Sequence, residues 1–194
     1  MGIPTDEDLR LYGAAMEQVK GRLVSAEKFL GLKASHPTVE SACLQVRLAL
    51  EAMMLSSLVP NRAAVAAAAS AYARKKHNAA LKIIEEVNPH FWPLPVSQDP
   101  DDHTMLRPIE EGFLRQDDYL ATWGALSAWC HATNPFQDPR DLASGIELVR
   151  VTAASMWTLL NGHQRFLVEP GHVVFCALTS ATSGGVRVYL MGPP

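Results

Sequence analysis

The sequence predicts a mainly α-helical protein: a bundle of about five helices followed by a small C-terminal antiparallel β-meander. Three observations carry this expectation. Apolar residues recur at helical spacing through most of the first 160 positions, capping residues and prolines divide them into segments, and after Arg165 the pattern changes to short β-rich runs.

Thr5, followed by Asp6, Glu7 and Asp8, supplies an N-cap and a negative first turn that complements the helix dipole. Leu9, Tyr12, Met16, Val19, Leu23 and Leu30 then hold helical spacing as far as Gly31. Ser35 or His36 caps a second helix with Pro37 in its first turn, and Pro60 closes it. Its body, with Met53, Met54, Leu55 and Leu58, is so apolar that it should be the most buried helix. Asn61 caps a third helix, alanine-rich at first and polar from Arg74 to Glu86, which stops ahead of Pro89.

Residues 88–108 contain five prolines and show no period, so they read as a long surface connection. Asp117 caps a fourth helix with Leu120, Trp123, Leu126 and Cys130 as its inward stripe, and Asn134-Pro135 ends it. Asp138-Pro139 opens a fifth, carrying Leu142, Ile146, Val149, Met156, Trp157 and Leu160. Phe166 to Val168, His172 to Leu178 and Val186 to Met191 are the three strands of the meander, separated by Pro170-Gly171 and by Thr182 to Gly185. The expected organisation is a helical bundle over 1–165 with the meander, 166–194, packed on it as a single structural unit.

The 194 residues suit one domain, and a net charge of -3 gives no global basic bias toward nucleic acid. Cys43, Cys130 and Cys176 are far apart and in no CxxC spacing, so neither a disulfide framework nor a thiolate zinc site is expected, and a reducing cytoplasm is the simplest compartment. The N-terminal stretch is acidic and lacks a signal-peptide core, and the longest uncharged central run, Ala63 to Ala73, is too short to span a bilayer. No Walker loop, GxSxG or HExxH is present, so no cofactor and no metal are expected; Asp99, Asp101, Asp102 and His103 match no metal-loop spacing.

Two constellations stand out. Glu40, Arg47 and Glu51 fall on one stripe of the second helix at i, i+7 and i+11, a pattern that serves either as a structural ion pair or as an anion site. His131 and Asn134, at the close of the fourth helix, combine a proton-transfer group with a positioning amide, or simply cap the helix. Arg74, Lys75 and Lys76 form the one compact basic patch, a nucleic-acid contact or a solvated face.

Through Arg47 and Glu51 on one helix and the CHATNP stretch around His131 and Asn134 on another, the chain resembles the HEPN superfamily of helical proteins. The resemblance covers roughly Glu40 to Leu160 and implies a dimeric bundle. It also implies either an interaction protein in phage defence or a toxin–antitoxin system, or a metal-independent ribonuclease. In the latter, His131 would move a proton at the 2′-hydroxyl, Arg47 would stabilise the phosphorane charge and Asn134 would position the nucleotide. The Arg-x(4–6)-His motif of the nuclease members is not intact, because its sole match, Arg165 to His172, runs across Pro170-Gly171. A homo-oligomer or protein partner is therefore the leading expectation, with RNA as the alternative partner and no membrane association.

Overall fold

A computed structural model describes residues 3–61, 77–102, 105–131, 136 and 140–193. Among the described residues there are five α-helices, as expected, but the expected three-stranded meander is part of a five-stranded antiparallel sheet, so the architecture is mixed α/β rather than purely a helical bundle. The helices are α1 (Asp6–Leu30), α2 (His36–Ser56), α3 (His77–Val87), α4 (Tyr119–Trp129) and α5 (Leu142–Leu160). The strands are β1 (Leu94–Gln98), β2 (Leu106–Pro108), β3 (Gly162–Phe166), β4 (Val173–Ala177) and β5 (Arg187–Met191), in the order β2-β1-β3-β4-β5. Arg74, Lys75, Lys76, His103, Asn134-Pro135, Asp138-Pro139 and the first part of the expected third helix lie outside the described residues.

Local signals set the helix starts. Thr5 and Asp8 cap α1 reciprocally, Thr5 Oγ1 accepting from Asp8 N at 3.2 Å while Asp8 Oδ2 accepts from Thr5 N at 3.0 Å. Ser35 and Thr38 do the same for α2. Two expected starts are corrected. Asp117 lies inside a 3-10 turn, Gln116–Asp118, and α4 begins only at Tyr119, with no side-chain cap from Asp118. At α5, Asp141 is the cap, its carboxylate accepting from the amides of Ala143 and Ser144. Of the expected inward stripe of α4, Leu126 is buried and Trp123 and Cys130 are half-buried, but Leu120 is 42% exposed, and Tyr119, Ser127 and Trp129 complete the buried face.

The chain divides into two compact units. The first, Met1–Glu17, Ala52–Glu111 and Leu159–Pro194, contains the whole sheet. The stretch 88–108, expected to be a structureless connection, supplies β1 and β2 to it. β1 divides its pairing, Leu94 and Pro95 with β3 and Val96, Ser97 and Gln98 with β2, and Pro95, whose carbonyl accepts from Ile109 N, stands just past the end of β2, where its missing N–H removes at most one ladder bond. Asp99 holds the hairpin between these strands by accepting from the amides of Asp101 and Asp102 and pairing with Arg107. β3 starts earlier than expected, at Gly162, where a side chain could not fit: a Cβ would stand 2.7 Å from the Val96 carbonyl oxygen.

The second unit, Gln18–Glu51 and Gly112–Thr158, is helical and buries Leu23, Val46, Leu126 and Val149. It leaves no room for a side chain at Gly145, where a Cβ would lie 2.5 Å from Trp129 Cζ2 and 2.6 Å from Val39 Cγ1. Gly145→Ala is therefore expected to cost about 1–3 kcal/mol through overpacking, despite the better helix propensity of alanine. Urea denaturation checks this, and a variant as stable as the parent would mean that the indole moves aside at no cost.

Candidate functional site

Arg47 and Glu51 meet as their i,i+4 spacing requires, Arg47 Nε donating to Glu51 Oε1 at 3.0 Å. The same oxygen accepts from Trp123 Nε1 at 2.9 Å, and the guanidinium carbon lies 5.3 Å from the centre of that indole ring. Arg47 is thus clamped between a carboxylate and an aromatic face, with its side chain 23% exposed. Burial works against its charge, but the Glu51 hydrogen bond and charge outweigh it and raise its pKa. Glu40, the third member of the stripe, is half-buried, and its charge is felt by Cys43. Burial first, then the neighbouring Cys130 and Glu40, push the Cys43 thiol up to about 12, so it stays protonated and is no nucleophile at neutral pH.

His131 is exposed just beyond the helix, whose C-cap is Cys130, with Cys130 N donating to Ser127 O at 2.9 Å. The His131 carbonyl accepts from Arg140 Nη2 at 3.1 Å, and Arg140 sits 5.6 Å from the Trp129 ring centre. Asn134 and the basic trio Arg74, Lys75 and Lys76 fall outside the described residues. Among the described residues no group of three or more His, Cys, Asp or Glu side chains is placed to hold a metal, and no helix is long and apolar enough to cross a membrane.

The first unit contains a polar cluster with no local sequence signature. Arg165, 3% exposed, donates from Nε to Tyr12 Oη (2.6 Å), from Nη1 to Phe91 O (2.8 Å), and from Nη2 to Met53 O (3.0 Å) and Ser56 Oγ (3.1 Å). Tyr12 Oη also lies 2.6 Å from His163 Nε2, and His163 Nδ1 lies 2.9 Å from Leu160 O. The proton arrangement follows from chemistry. A guanidinium only donates, so the Tyr12 hydroxyl accepts from it and gives its own proton to His163 Nε2, leaving Nδ1–H for the Leu160 carbonyl. Burial and then the Arg165 charge push His163 down to about 3, so the imidazole is neutral, as this chain of bonds demands. Burial likewise raises the Tyr12 hydroxyl, and it pushes the Cys176 thiol up to about 12. All these groups are held in their neutral forms, apart from the guanidinium, and His163 and Tyr12 are fully buried. This is a structural lock behind the sheet rather than a reaction centre.

The opposite face of that sheet is different. Residues directly opposite one another share a face. The register therefore places Phe166, Val173 and Met191 in one outward row and Gln164, Phe175 and Tyr189 in the next. Phe166 is 40%, Tyr189 53% and Met191 41% exposed, and Phe175 stacks on Tyr189 with ring centres 6.2 Å apart. The two sheet edges also contrast. β2 is three residues long, ends in Pro108 and carries the Arg107–Asp99 pair, which are the usual guards against strand addition. β5 is five residues long, RVYLM, with no proline and a single charge at its start.

No protein-family model, curated protein or solved structure matches the chain.

Proposed function

We propose that the protein acts through protein interaction, as a cytoplasmic homodimer built on the β5 edge and the outward apolar face of the sheet. The observation that carries this reading is the unguarded β5 edge bordered by Tyr189 and Met191. A second copy fits it. Antiparallel pairing of β5 with itself, centred on Tyr189, sets each Arg187 opposite a Met191 of the other copy, so no like charges meet and the apolar face continues across the two-fold axis.

The resemblance to HEPN proteins, carried by Arg47 with Glu51 and by the stretch around His131, is the support for a phage-defence or toxin–antitoxin setting. The metal-independent ribonuclease alternative asks Arg47 and His131 to share one phosphate. Arg47 instead lies against Glu51 and Trp123, an arrangement that favours interaction over cleavage.

Tyr189→Asp places a charge at the centre of the proposed interface on a side chain already half exposed, so the fold should survive. Sedimentation equilibrium should find the parent dimeric and the variant monomeric, with association weakened by at least about tenfold, equivalent to 1.4 kcal/mol. A parent that is monomeric up to high micromolar concentration, or a variant that dimerises as well as the parent, would overturn the reading.

A further inference from the structure

The second unit contains a groove of about 570 Å³ between the C-terminal turn of α1 and one side of α5. Leu30 and Ala154 make its accessible apolar wall over the buried Val149 and Ala153, Trp157 supplies an indole, and Glu27 and Arg150 are its charged groups. Trp157 Nε1 donates to Glu27 Oε1 at 2.7 Å, which fixes the ring beside the carboxylate. The arginine is already engaged, its Nη1 lying 3.0 Å from Glu147 Oε2, so its positive charge is offset at the rim. The 25-residue helix α1 ends at Leu30, and the negative end of its dipole therefore falls in the same groove.

A carboxylate, a helix C-terminus and an aromatic ring all favour a cation, and the adjoining aliphatic wall favours a hydrocarbon body. From this combination we infer that the groove binds a small organic ammonium with an apolar substituent, its charge at the Glu27 carboxylate beside the Trp157 ring and its body against Leu30 and Ala154. Every residue of this groove belongs to the helical unit, and none lies on β5.

The probe is benzylammonium, titrated into the full chain while the indole N–H resonance of Trp157, identified by its loss in Trp157→Phe, is followed by NMR. Saturable movement of that resonance is expected, with a dissociation constant on the order of 1 mM for so small a ligand. Benzyl alcohol, which has the same body without the charge, should bind at least about tenfold more weakly. So should Nα-acetyl-lysine methylamide, which presents an ammonium without the aromatic body. Glu27→Gln keeps an oxygen for the Trp157 N–H and should leave the melting temperature unchanged while weakening benzylammonium by about tenfold or more. Equal binding of the alcohol, equal binding by Glu27→Gln, or no saturable movement of the Trp157 resonance would overturn the proposal. So would tighter binding of the lysine derivative, which would assign the groove to a protein side chain instead.

Discussion

Arg165→Ala should destabilise the protein by about 3–5 kcal/mol, the largest loss expected from any single substitution in the sheet-containing unit. The guanidinium is one of the few groups that could satisfy Tyr12 Oη, Phe91 O, Met53 O and Ser56 Oγ at once, because its donors project from one rigid plane. Truncation leaves a cavity where a 3%-exposed side chain stood, and it orphans the Phe91 carbonyl, at about 1–3 kcal/mol for an unmet buried acceptor. The Met53 carbonyl suffers less, since Ser56 Oγ also donates to it at 2.6 Å. Arg165→Lys should recover only a minor part of the loss, because a single ammonium cannot reach partners arrayed around a fork. Urea unfolding of the two variants decides the matter: a loss below about 1 kcal/mol for alanine, or full recovery by lysine, would show that the network is dispensable.

The partners in that cluster are far apart in sequence, beyond the reach of local spacing rules. The reciprocal caps at Thr5 and Ser35, and the Arg47–Glu51 pair, lie within four residues of their partners and obey local rules, so the sequence alone exposes them. The third participant in the Arg47 site, Trp123, is 72 positions from Glu51, and no spacing rule connects them. β3 was hidden for a related reason. Its inward residues are His163 and Arg165, so GHQRF lacks the polar–apolar alternation that marks a half-buried strand, and its polar side chains are inside because partners distant in sequence, among them Tyr12 more than 150 positions away, receive them. β1 was hidden by Pro93 and Pro95, which read as breakers until the divided pairing of the strand is known. Two aspartates, Asp138 and Asp141, precede α5, and the carboxylate that accepts from the Ala143 and Ser144 amides is that of Asp141, a choice that spacing alone does not make.

The same buried imidazole makes stability depend on pH in a defined window. An unfolded His163 takes up a proton near pH 6.5, whereas in the folded protein burial and the Arg165 charge delay protonation to about pH 3. Between these values the unfolded state holds one more proton than the native state, so stability is full above about pH 6.5 and falls as the pH drops toward 3. The limiting slope is about 1.4 kcal/mol per pH unit for one proton. The protein has 20 Asp and Glu residues, and their titration dominates at lower pH, so the contribution is cleanest between about pH 5 and 6.5. His163→Gln isolates it, since glutamine offers an amide donor for Leu160 O and an oxygen for the Tyr12 hydroxyl but does not titrate. The variant should start less stable at pH 7.5 and lose less on acidification, the two slopes differing by close to one proton over that window. Its imidazole counterpart in the parent should show no NMR titration down to pH 5. Parallel slopes, or an imidazole that titrates near pH 6, would mean that water reaches His163 and that the hydrogen-bond chain from Arg165 through Tyr12 to Leu160 is open to solvent.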